Sequence, residues 1–149
     1  MNEAKGLKEL RKALKQFPKN IQKNVMVGAV RAGTKPIVKR AKELVPIDEG
    51  DVKKSIRAKK RRVSKSTPHI IKFTVHAGGN IKKNGETLRP FYAAFIEFGY
   101  MKPKGDGFTH VMARPFMRPA LEQEANNSIV FVRDYMQKRI AKEIQKAAK

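Results

Sequence analysis

The sequence contains no cysteine, and that single absence removes disulfides, thiolate metal sites and cysteine nucleophiles together. Long hydrophobic runs are missing too. Apolar stretches such as Ile129-Val130-Phe131-Val132 fall far short of the roughly 18 apolar residues of a membrane helix. The first residues, MNEAKGLKELRKALKQF, are charged at every turn and hold no apolar stretch of the secretory kind. The expectation is a soluble protein, made and kept in a cytoplasm-like compartment, with no membrane partner. Acidic residues are scarce: 13 Asp and Glu stand against 34 Lys and Arg, for a formal net charge of +21. Such an excess goes beyond what solubility requires and implies a polyanionic neighbourhood, either nucleic acid or an acidic protein surface.

What is present suffices for a core. The 149 residues are 40% hydrophobic, the size and composition of one ordinary domain spanning residues 1–149. Leu7, Leu10, Leu14 and Phe17 recur at helical spacing, and Pro18 ends that helix or opens the next. Ile21, Val25, Ala29, Ala32, Ile37, Ala41 and Leu44 keep a helical period, with a kink or break expected at Pro36. Pro46 stops the segment, residues 48–51 form a turn, and Asp51 is placed to cap a short helix. Residues 56–64 and 69–77 read as a β-hairpin with a solvated first strand, joined by Lys65-Ser66-Thr67-Pro68. Residues 78–89 and 100–110 read as loops, the first with a turn at Asn84-Gly85. Between them Phe91, Phe95 and Phe98 suggest a short helix closed by Gly99 in a left-handed C′ position, with a strand as the competing possibility. A long helix follows Pro119, with Leu121, Ile129, Val132, Met136 and Ile140 on its packing stripe. The fold class predicted is α+β: N-terminal helices, a small antiparallel sheet and a long C-terminal helix packed on it.

Catalytic chemistry finds little to work with. His69, His76 and His110 are scattered, and an odd separation puts the first two on opposite faces of one strand. Gly78-Gly79-Asn80 and Lys104-Gly105-Asp106-Gly107 lack the strand-to-helix context of a phosphate loop. No catalytic set, metal or cofactor is expected. The basic residues say more. Lys53, Lys54, Arg57, Lys59, Lys60, Arg61, Arg62 and Lys65 place eight cations within thirteen positions, with no aromatic interleaved. Base stacking on such a run is disfavoured, and sequence-independent contact with phosphate backbone is favoured. Glu97, set among Phe95, Ile96 and Phe98, needs a partner if it is partly buried, and Arg114 and Arg118 are the candidates.

Three segments, taken in order, resemble a known family. They are Ala41-Lys42-Glu43-Leu44-Val45-Pro46-Ile47-Asp48-Glu49-Gly50 with Ser55-Ile56, then Tyr92-Ala93-Ala94-Phe95-Ile96-Glu97-Phe98-Gly99, then Ala113-Arg114-Pro115-Phe116-Met117-Arg118-Pro119-Ala120-Leu121. The set is similar to the gene-product-ten-type neck, or tail-completion, proteins of long-tailed bacteriophages, over roughly residues 20–147. Asp51 stands where that family has a small residue, and Tyr100 where it has a threonine after Glu-Phe-Gly. The resemblance implies a non-enzymatic virion protein at the head–tail junction, assembled in the host cytoplasm. It further implies a ring around the DNA channel between head-closure and tail-terminator rings. Sixfold symmetry is the expectation from phage tails, with twelvefold next. Pro46, Gly50, Tyr92, Glu97, Gly99, Arg114, Pro115, Phe116 and Pro119 then carry the structural motifs. Phe131 and Tyr135, which widen the apolar surface of the last helix, are the interface candidates. The alternative is a cytoplasmic, non-sequence-specific nucleic-acid-binding protein of the architectural or ribosomal kind.

Overall fold

The computed structural model describes residues 3–48, 50–63 and 70–147. Among them the helices are α1 (Glu3–Leu14), α2 (Lys19–Leu44), α3 (Asp51–Ser55), α4 (Ala93–Phe98) and α5 (Met117–Ala147). The strands are β1 (Arg57–Arg61), β2 (Lys72–His76), β3 (Ile81–Lys83), β4 (Glu86–Leu88), β5 (Tyr100–Lys104) and β6 (Gly107–Val111), paired β1–β2, β3–β4 and β5–β6 as three two-stranded sheets. This is the α+β arrangement that the sequence pattern predicts, long final helix included. The chain divides into two compact units. One holds Met1–Pro36, Lys60–Thr74 and Ala125–Lys149, the other Ile37–Lys59 and Val75–Glu124.

The first unit is built on helix packing. Leu14, Val25, Ala29, Met136 and Ile140 are buried together, with Leu7, Leu10, Phe17, Ile21, Val132 and Tyr135 packed around them. Here α2 presents its small residues to α5. The Tyr135 ring lies directly against Gly28, and a Cβ on Gly33 would stand 2.7 Å from Val132 Cγ2. Side chains at these two positions would hold the helices apart, so the bare backbone sets how closely they approach. The Pro18 carbonyl accepts a hydrogen bond from the Gln22 N–H at 3.0 Å, so the proline opens α2.

In the second unit Ala41, Val45, Val52, Ile56, Ala93, Phe116 and Ala120 form the core, and Val75, Ala77, Tyr92 and Ile96 lean on it. Phe116 is wholly inaccessible, at 0% exposure. The motif pair Ser55-Ile56 has a physical reason. Ile56 is buried, while the buried Ser55 Oγ donates to the Val52 carbonyl at 2.7 Å and accepts from the Gly78 N–H at 2.8 Å. One hydroxyl therefore ties the end of α3 to the chain leaving β2.

Several expectations are corrected. Of the kink or break expected at Pro36, the break does not occur, for α2 runs unbroken from Lys19 to Leu44. The interior proline costs about 3 kcal/mol of helix propensity, but Val25, Ala29 and Ala32 before it and Ala41 after it are all buried, which holds both halves helical. Asp51 does not cap α3. Gly50 takes the N-cap position at φ 75°, with no side-chain hydrogen bond, and Asp51 turns inward. Residues 78–89 and 100–111 are not loops but the hairpins β3–β4 and β5–β6. Asn84 and Gly85 both have positive φ, 51° and 84°, the requirement of a two-residue type I′ turn. Neither hairpin has a continuous buried face, so neither shows the apolar alternation by which strands are read. Gly99 does have positive φ, yet its ψ is 175°, an extended conformation open essentially to glycine alone. On the final helix, Leu121 and Ile129 are exposed, whereas Met136 and Ile140 are buried as predicted.

Candidate functional site

Two of the sequence motifs meet at the start of α5. Glu97 Oε2 accepts hydrogen bonds from the Phe116 N–H at 2.8 Å and the Met117 N–H at 2.9 Å, and Oε1 accepts from the Arg118 N–H at 3.1 Å. The next residue, Pro119, has no N–H, and the Ala120 N–H already bonds the Phe116 carbonyl at 3.3 Å. Every N–H that a helix start leaves orphaned is thus satisfied or absent. The carboxylate also sits at the positive end of a 31-residue helix. Glu97 therefore takes backbone partners, where the sequence had pointed to the Arg114 and Arg118 side chains. The backbone of Arg114 contributes separately: its N–H donates to the Ile96 carbonyl at 2.7 Å. Pro115 and Phe116 lead the chain into this cap, with the Phe116 ring sunk in the core.

Asp51, one of the two departures from the family pattern, is 2% exposed. Its Oδ2 accepts from Lys83 Nζ at 2.9 Å, which fastens β3 to α3. Its Oδ1 has no hydrogen-bond partner among the described residues. Tyr100, the other departure, packs its ring 5.4 Å from that of Phe95.

Of the predicted polyanion-facing residues, Arg57, Lys59, Lys60, Arg61 and Arg62 are exposed on or just beyond β1, Lys54 is exposed on α3, and Lys53 is half-buried. Lys65, like His69, lies outside the described residues. The run does not form one patch within one unit. Lys60, Arg61 and Arg62 belong to the first unit, where they rim a groove of about 940 Å³ with Lys19 and Lys23. Its floor is apolar, from Met26, Val63, Ile70 and Ile71. Lys54 and Arg57 belong to the second unit and line a separate pocket of about 550 Å³ with Lys82. Lys82 was missed in the sequence because it lies outside the cationic run and only the β3–β4 hairpin brings it there.

Exposed apolar residues gather elsewhere. Phe91 is 69% and Phe98 75% exposed, and Phe95, Tyr100, Met101, Phe108 and Met112 are exposed with them. Tyr92, Ile96 and Phe116 pack in the second unit's core with Met117 and Ala120 of the last helix, and the three phenylalanines at helical spacing are exposed. Phe91 and Phe95 meet edge to face, with centroids 6.2 Å apart. Phe131 is exposed on α5, whereas Tyr135 packs into the first unit's core. Among the described residues, no three His, Asp or Glu side chains come together as a metal site, and no helix is long and apolar enough to cross a membrane.

A family model of phage tail components matches residues 8–99, well over half of the chain. The chain belongs to that family, described as "Bacteriophage HK97-gp10, putative tail-component". It is accordingly a virion structural protein of the phage tail region. The matched stretch takes in the Pro46–Gly50 turn and the Tyr92–Gly99 motif and stops short of Arg114–Pro119. No curated protein and no solved structure matches the chain.

Proposed function

We propose that the protein is a non-enzymatic ring component of the phage neck, joining head-closure and tail-terminator rings around the DNA channel. The observation that carries this reading is the division of surface chemistry between the two units. The first unit bears 20 Lys and Arg against 4 Asp and Glu, the second 14 against 9. Of the thirteen large apolar side chains exposed among the described residues, ten belong to the second unit. A channel around DNA calls for cations without base readout. Contacts between protein rings call for contiguous apolar surface that an isolated subunit leaves uncovered. The chain holds both, with most of the cationic excess in the first unit and most of the exposed apolar side chains in the second.

A closed ring of identical subunits, six or twelve in number, is the assembly that fits a tail with cyclic symmetry. The test is a reconstruction of the neck from intact virions, with this chain identified by a labelled terminus. A ring of this subunit between head and tail, with residues 57–62 toward the lumen, is the expected result. Its absence from the virion, together with tight binding of monomer to duplex DNA in physiological salt, would replace this reading by that of a cytoplasmic DNA-binding protein.

A further inference from the structure

The smaller cationic pocket has a construction of its own. Lys54 comes from α3, Arg57 from β1 and Lys82 from β3, and Asn80 and Thr87 add an amide and a hydroxyl. No Asp or Glu is among the residues lining it. Its parts are held in place by neighbours. The Asp51–Lys83 ion pair fixes the direction of Lys83, and adjacent strand side chains alternate, so the direction of Lys82 is fixed with it. Thr87 is the cross-strand partner of Lys82. A Cβ on Gly79 would stand 3.1 Å from Arg57 Nη2 and 3.2 Å from His76 Nε2, so the bare glycine leaves room for the guanidinium beside the imidazole. Three cations brought together by three elements repel one another unless an anion lies between them.

We propose that this pocket seats a single phosphodiester group of the DNA backbone. The inference rests on the DNA-facing reading above and narrows it to one site and one chemistry. The guanidinium fork of Arg57 matches two non-bridging phosphate oxygens. The phosphate's non-bridging oxygens can accept further hydrogen bonds from the two ammonium groups, and Asn80 and Thr87 supply uncharged donors. One cation balances one phosphodiester, and the surplus meets the adjacent phosphates along the strand, which a lone carboxylate does not bring.

Duplex binding by the full chain, followed by fluorescence anisotropy across a salt series, tests the seat. Lys82→Gln and Arg57→Gln should each weaken binding about threefold and lower the slope of log affinity against log salt by about one. Because both hold the same phosphate, the double variant should lose little more than either single one. Lys59→Gln, outside the pocket, should instead multiply with Lys82→Gln. All of these positions are exposed, and thermal melts confirm that each variant folds.

Wild-type affinity and slope in Lys82→Gln would overturn the seat. So would multiplicative losses in the double variant. In either case the DNA-facing reading survives if the combined Lys59, Lys60, Arg61 and Arg62 to Gln variant still loses binding. If the wild type does not bind duplex, yet inorganic phosphate raises its melting temperature and not that of Lys82→Gln, DNA is overturned as the source of the anion. Poly-glutamate that binds the wild type more tightly than duplex does, with that preference lost in Lys82→Gln, would overturn it in favour of an acidic protein.

Discussion

The two units reach stability by different routes. In the first, α1, α2 and α5 meet through Leu14, Val25, Ala29, Met136 and Ile140, and the packing is set by shape: small residues on α2 against Val132 and Tyr135 on α5. In the second, short elements that could not stand alone are fastened by individual polar bonds. Glu97 starts α5, Ser55 ties α3 to the chain after β2, and Lys83 holds β3 to the buried Asp51. Long helices bury enough apolar surface to need no such fasteners, whereas two-stranded hairpins are marginal in water. The second unit also leaves the more apolar surface exposed, so it is the unit whose stability should depend on what it touches.

That contrast is open to direct attack, and the largest effect should come from its core. Phe116→Ala removes a fully buried ring and should cost about 3–5 kcal/mol. Hydrogen exchange should show the loss first in the second unit, leaving amides of the Leu14–Met136 cluster protected. Simultaneous loss in both would show that they unfold as one. Gly99→Ala comes next, at about 3 kcal/mol. It places a Cβ 2.7 Å from the Val111 carbonyl oxygen and 3.0 Å from the Ala113 nitrogen, on a backbone that disfavours any side chain. A melting temperature equal to the parent's would refute that assignment.

Glu97→Gln should cost about 1–2 kcal/mol. The amide keeps one acceptor and turns a donor toward an N–H that the carboxylate had satisfied. Denaturant titration would measure this, and an unchanged midpoint would show that the cap contributes nothing. On the first unit's side, Phe131→Ser should cost the isolated chain only about 1 kcal/mol, since about half of the residue is already exposed. Particle assembly is the sensitive readout there: infectious yield should fall if Phe131 meets a neighbouring subunit. Smallest of all, changing Lys59, Lys60, Arg61 and Arg62 together to Gln should leave stability within about 0.5 kcal/mol or raise it slightly, by relieving repulsion. DNA retention in assembled particles should drop. Unchanged retention would overturn the proposed DNA-facing role of those residues.

How far the residues alone announce this structure follows the same division. The periodicities of Leu7, Leu10 and Leu14 and of Met136 and Ile140 are visible because helices packed on helices must repeat at 3.6 residues. The β1–β2 pair is visible through Phe73, Val75 and Ala77 on one face. In β3–β4 and β5–β6 only Ile81 is buried, so glycine and asparagine dominate the reading and both hairpins look like loops. Phe91, Phe95 and Phe98 mislead for the converse reason. Their spacing correctly marks one face of a helix, but spacing cannot say whether that face meets the core or is left for a partner. The cap is illegible for a third reason. Glu97 and Phe116 are nineteen residues apart, and the cap bonds fall on backbone N–H groups, which carry no residue identity.

The β5–β6 excursion is stitched shut at its base. Tyr100 pairs with Val111, and the Arg114 N–H bonds the Ile96 carbonyl on the far side of Gly99. Whatever happens at its tip, around Lys104–Gly107, is therefore isolated from the start of α5. Inserting residues at the tip adds only the slow, logarithmic cost of a longer closed loop. The arm can be lengthened, shortened or rewritten while the body that carries it stays constant.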